Sequence, residues 1–231
     1  MRAKYQPNPA KEHRLRLRRR FMSVGLRGFA PHEILELVLT LAIPRQDVKA
    51  RAKELLDRFG TLRGVLDASE VELRGIKGIS DAGIGALRVI KDVATLYLQQ
   101  TAEGSRSFAE PEALHDFWRM RIGSLKNEVF EVGYLDSGHR LLPDGIETLE
   151  EGTIDRAAVY PRKVIESALR RGAAAIVMAH NHPNGKADPS DHDKILTRAV
   201  VLAAATVQIS VLDHLILTAD SVFSFRREGL I

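Results

Sequence analysis

Residues 173–180 read AAAIVMAH, an uninterrupted apolar run that ends on a histidine. A run this short with no polar alternation predicts a strand buried on both faces, and such a strand must be covered by helices. The flanking text supplies them. A helix is predicted after Pro161, with Val164, Ile165, Ala168 and Leu169 on one face, and a second over Asp191 to Ala205. Further strands are predicted at EVFEVGYLD (128–136), turned by Ser137-Gly138 into RLLPDGI (140–146), and at 206–218 and 221–225. Alternating strands and helices give an α/β or α+β domain over residues 113–231.

The strand carries chemistry at its end. In extended chain, residues i and i+2 share a face, so His180 and His182 present two imidazoles to one side while Asn181 points away. Pro183 stops the strand and Asn184-Gly185 turns it. Ser190 and Asp193 then fall in the first turn of the next helix, three residues apart and on a common face. The chain contains no cysteine, so a tightly held metal must use His, Asp or Glu. Two imidazoles and a carboxylate form a three-ligand zinc set with a fourth position left for water, although iron or manganese would also accept these donors. His192 is a spare donor that points off the shared face. A plainer reading treats Ser190 and Asp193 as a loose capping box ahead of an apolar helix. A metal-activated water also needs a base, and periodicity does not choose among 30 acids.

The first hundred residues have a different texture. Residues 1–27 hold nine Arg or Lys and one acid, Glu12, a basic arm on a chain whose net charge is +4. It suits either nucleic-acid phosphates or a solvated tail. Residues 28–100 read as helical: PHEILELVLTLAI (31–43), a helix from Asp47 to Gly60, one begun by Ser69 with Glu72, and one from Asp81 to about Gln99. Residues 101–112 read as a linker. No apolar run is long enough to span a bilayer, and a cytoplasmic protein is expected.

The pattern His180-x-His182, then Ser190 and Asp193, resembles the JAMM motif of JAB/MPN metalloproteases. The wider text (EVFEVGYLD, then 152–185, PSDHD and VLDHLIL) resembles the bacterial RadC family over residues 105–231. The resemblance implies an α/β, cytidine-deaminase-like fold, a mixed sheet flanked by helices, with zinc held by His180, His182 and Asp193 and an oxyanion supported by Ser190. It also implies that Glu128, at the start of the first strand, is the general base, with Glu131 its neighbouring competitor. Arg162 and the Asp213-His214 pair match family positions and are expected to serve the fold or the surroundings of the metal. Asn184 and Lys186-Ala187-Asp188 depart from the family's usual loop, which bears on substrate preference and not on the ligands.

LRGIKGISDAGIGALRVI (73–90) resembles a helix-hairpin-helix, with Ser80 where glycine is usual. Together with Arg74, Lys77 and the basic arm it suggests sequence-independent DNA contact. The expected function is hydrolysis of a peptide or isopeptide bond in a protein or peptide substrate, in a DNA-repair setting. A metal-dependent nuclease and a non-catalytic binding module are the alternatives.

Overall fold

The computed structural model describes residues 9–44, 46–104, 111–152 and 160–231. Arg2 and Lys4 of the basic arm, the middle of the expected linker and residues 153–159 of the family-like text lie outside the described residues. The chain divides into two compact units, Met1–Ala94 and Thr95–Ile231.

The first unit is helical. Part of the expected arm is helix α1 (Pro9–Val24), followed by α2 (Pro31–Ala42), α3 (Lys49–Phe59), α4 (Leu62–Asp67), α5 (Glu70–Arg74) and the start of α6 (Asp81–Gly104). Leu35, Leu39, Leu55, Leu73 and Leu87 meet in its core. Helix α1 buries a single leucine, Leu17, and is joined to α2 by charge. His13 Nε2 lies 2.7 Å from Glu36, Arg20 reaches Glu33 at 2.9 Å, and Arg18 donates to the Thr40 carbonyl at 3.3 Å. Part of the basic run read as a solvated or DNA-seeking arm is thus engaged within the fold: α2 presents Glu33 to Arg20 and Glu36 to His13, while Lys11, Arg16, Arg19 and Arg27 stay exposed. Helix α3 starts one residue later than expected: Val48 is its N-cap, and Asp47 accepts from the Lys49 amide at 2.9 Å.

The α5–α6 turn has Gly78 at φ +84°, a conformation that requires glycine, and a Cβ there would fall 2.5 Å from Arg51 Nε. Ser80 accepts from the Gly83 amide at 3.3 Å, so this serine takes one of the first free N–H groups of α6. Arg74 is tied to Glu70 at 2.7 Å and to Asp81 at 2.5 Å.

The second unit is built on a five-stranded sheet of order β2-β1-β3-β4-β5: β1 (Glu128–Leu135), β2 (Leu141–Gly152), β3 (Ala175–Asn181), β4 (Ser210–Leu217) and β5 (Val222–Ser224). Only β3 and β4 run parallel; the other three pairings are antiparallel. One face is covered by α7 (Pro111–Arg121), whose Phe117 and Trp118 pack on Val129, Val177 and Leu215. The other face carries α8 (Pro161–Arg171) and α9 (Asp191–Thr206), which pack on Phe130, Val132, Ile176 and Met178. Every residue of β3 is buried, as a strand covered on both sides must be. The expected linker is narrower than the sequence suggests. Helix α6 runs on to Gly104 and α7 opens at Pro111, because no helix breaker stands between Gln99 and Gly104.

Candidate metal centre

The β3–α9–β4 crossover builds the site. A strand followed by a helix and a parallel strand leaves a crevice at the strand's C-terminal end, beside the N-terminus of the helix. His180 and His182 stand at that end of β3, and the loop 183–189 returns the chain to α9.

Ser190 is the N-cap of α9 and Asp193 its third residue. Ser190 Oγ accepts from the Asp193 amide at 3.1 Å, and Asp193 Oδ2 accepts from the Ser190 amide at 2.8 Å and from its hydroxyl at 2.6 Å. Asp193 is therefore both a member of the capping box and a candidate metal ligand. One edge of the Asp193 carboxylate closes the helix end. The group as a whole also faces the histidines: Asp193 Oδ1 lies 3.2 Å from His180 Nε2, and Oδ2 lies 3.5 Å from His182 Nε2. The two Nε2 atoms are 3.0 Å apart.

These donors fit a metal ion. Tetrahedral ligands held at zinc distances stand about 3.3 Å from one another. The two Nε2 atoms, 3.0 Å apart, are close to that spacing, and each meets a different oxygen of Asp193, at 3.2 and 3.5 Å; one atom from each residue can be chosen with all three within 4.8 Å. Among the described residues, His180, His182 and Asp193 form the one group of this kind. The outer nitrogens are occupied as well. His182 Nδ1 donates to the Lys186 carbonyl at 2.8 Å, and His180 Nδ1 is 2.9 Å from His214 Nε2. Each ring thereby turns Nε2 inward.

The protonation states follow from the surroundings. Burial disfavours ionised Asp193, but the His180 and His182 rings that face its two oxygens, and the Ser190 hydroxyl that donates to it, hold its pKa far below the ordinary carboxylate range. Burial also opposes a charged His182, yet the Asp193 hydrogen bond, the Lys186 carbonyl and the charges of Asp193 and Glu128 together raise its pKa. In the metal-free protein a proton on His182 stands where a cation would. His214 is wholly buried, and that burial holds its pKa well below the ordinary imidazole value and favours the neutral ring.

The pleat separates the two candidate bases. Phe130 pairs with His180 at the end of the antiparallel β1–β3 ladder, and Glu128, two residues before Phe130 on β1, lies on the same face of the sheet. Glu128 is partly exposed and near enough to raise the His182 pKa. Glu131 faces the other way. It is buried under α7, where Trp118 Nε1 donates to it at 3.1 Å, Arg121 at 2.9 Å and Thr148 at 2.9 Å.

The remaining candidates fall outside the cluster. His192 is exposed on α9 and is not brought to the group. Arg162 is exposed and pairs with Glu166 at 2.8 Å. Asp213 accepts from Ser224 at 2.6 Å and from the Arg226 amide at 3.0 Å, tying β4 to the chain after β5. Sequence reasoning passed over Asn181 and Thr197. The Asn181 amide accepts from the Val129 N–H at 2.8 Å and donates to the Leu125 and Asn127 carbonyls at 3.1 and 3.0 Å. It clamps the backbone that carries Glu128. Its alternation with the two histidines was the available signal.

The sequence profile of the RadC-like JAB domain matches residues 108–230. The chain belongs to the RadC-like JAB domain family. It is 39% identical over 217 residues to a UPF0758 protein of Methylibium petroleiphilum, covering 94% of this chain and 97% of the relative. A UPF0758 protein of Pseudoalteromonas translucida is 37% identical over 216 residues, covering 94% and 96%. One of Paraburkholderia phytofirmans is 38% identical over 212 residues, covering 92% of this chain and 81% of that one. The JAB domain corresponds to the sheet unit described above, and its profile spans the His-His-Asp group.

Proposed function

We propose that this JAB-domain protein is a metal-dependent hydrolase of peptide or isopeptide bonds, with zinc as its cation. The observation that carries the proposal is the convergence of His180 Nε2, His182 Nε2 and the Asp193 carboxylate within 3.0–3.5 Å of one another. Three protein ligands are the number a catalytic zinc site uses. A bound cation supplies Lewis acidity, which makes water a nucleophile near neutral pH and polarises a carbonyl. His180, His182 and Asp193 would hold it. Glu128, beside His182 and open to solvent, would take a proton from the attacking water and return it to the leaving amine as the C–N bond breaks. Ser190 donates its only hydroxyl proton to Asp193 in this structure. Supporting a substrate oxyanion requires that hydroxyl to swing away from Oδ2.

We also propose a cytoplasmic setting, which suits a chain without cysteine. No described helix is long and apolar enough to cross a membrane. We further propose sequence-independent DNA contact, in a repair setting, at the α5–α6 turn read as a helix-hairpin-helix. Exposed Lys77 and Arg58, with Arg51 against Gly78, support it; Arg74, held by Glu70 and Asp81, is not available for it.

The test is to offer zinc-loaded protein a peptide library, ubiquitin-like conjugates and labelled DNA. Amide cleavage lost in Glu128→Gln supports the proposal. Glu128-dependent cleavage of DNA would replace it with a nuclease, and DNA binding without turnover of any substrate would replace it with a binding module.

A further inference from the structure

We infer that Thr197 and His214 are positioning residues for the metal centre: they fix the tautomer of His180 through a hydrogen-bond relay that begins on the backbone of Asp193. The inference rests on the metal-centre reading above and deepens it.

The polarity of the relay can be worked out atom by atom. Thr197 lies one helical turn after Asp193 and its hydroxyl bonds back to the Asp193 carbonyl at 2.6 Å. A carbonyl only accepts, so the single hydroxyl proton is spent there. Thr197 Oγ1 is also 2.6 Å from His214 Nδ1. With its proton committed, the hydroxyl can only accept, and Nδ1 of His214 must carry the hydrogen. A neutral ring protonated at Nδ1 is bare at Nε2. That atom is 2.9 Å from His180 Nδ1, which must therefore donate. A neutral His180 ring, the form that can offer a lone pair to a metal, then keeps no hydrogen on Nε2, the atom that faces His182 and Asp193. A threonine on α9 thus sets the lone pair of a histidine on β3 through a histidine on β4, and it joins two of the three ligands by a path that does not cross the metal position.

The surroundings suit a fixed relay. His214 is fully buried, with its ring stacked on Phe225 at 4.8 Å and edge-on to Phe130 at 5.7 Å, while Phe130 stacks on His180 at 5.9 Å. Both rings are buried and bracketed by aromatic neighbours. Partners that orient a ligand histidine are typically worth about 10–100-fold in metal affinity.

The experiment is a zinc titration of the full chain against a chromophoric chelator. His214→Phe and Thr197→Val should each weaken zinc binding by at least about tenfold, and Thr197→Ser, which keeps the hydroxyl, should stay within about threefold of wild type. Zinc affinity within about threefold of wild type in folded His214→Phe and Thr197→Val would overturn the relay. Nitrogen-15 NMR of wild-type histidines reads the same claim without a substitution: Nδ1–H on both His180 and His214 supports it, and Nε2–H on either in the zinc-loaded protein overturns it. A wild-type chain that takes up no zinc would fail at the prior step and remove the metal centre itself, with the relay as a consequence.

Discussion

Glu128 and Glu131 stand three residues apart on β1, and the pleat sends them to opposite faces. The two carboxylates should behave oppositely on removal. Glu128→Gln is expected to keep one zinc per chain while lowering turnover by about 100-fold or more, read by elemental analysis beside a rate assay. Glu131→Ala should leave zinc content unchanged and destabilise the protein by about 3 kcal/mol in denaturant unfolding, since it strands Trp118, Arg121 and Thr148. That figure sits at the low end of the usual range because Arg121 is about a third exposed. His182 gives a pH prediction. Its pKa in the metal-free fold is raised above 6.5, so its contribution to stability is full below that pH and fades as pH rises through the folded value. Zinc needs the same nitrogen without its proton. The gain in melting temperature on adding zinc should therefore grow with pH across this window and shrink towards acid.

At the scale of the element, α9 holds the site together through its first turn. Ser190→Ala should cost about 1 kcal/mol in metal-free protein by denaturant unfolding, the loss of an N-cap, and should also loosen Asp193 and weaken zinc binding. The capping reading of Ser190 and Asp193 and the ligand reading of Asp193 compete when only the sequence is seen; in three dimensions they are compatible, because a carboxylate has two oxygens and more than two acceptor directions. Much of this was legible beforehand. The apolar run of β3, the alternation of His180 and His182 and the helix start at Ser190 are local signals, and local signals survive folding. What was not legible depends on pairs distant in sequence. Thr197 and His214 come from different elements and meet only when α9 packs on β4. The burial of Glu131 needs Trp118 and Arg121 from α7. The docking of α1 needs Glu33 and Glu36 from α2, which no periodicity in the basic run reveals.

The whole molecule joins a basic helical unit to a JAB domain in one chain. The charge available to DNA in the first unit is smaller than the composition suggests, since His13, Arg18 and Arg20 are engaged on α2 and Arg74 on its acidic neighbours. Binding to DNA should accordingly be modest and fall steeply with salt, with Lys77→Ala reducing the slope by about one counterion in a salt titration. The proposed chemistry requires one cation shared by β3 and α9. Elemental analysis of purified protein tests this most directly. It predicts one zinc per chain in wild type and close to none in folded His180→Ala and folded Asp193→Ala; full zinc content in either variant would contradict it.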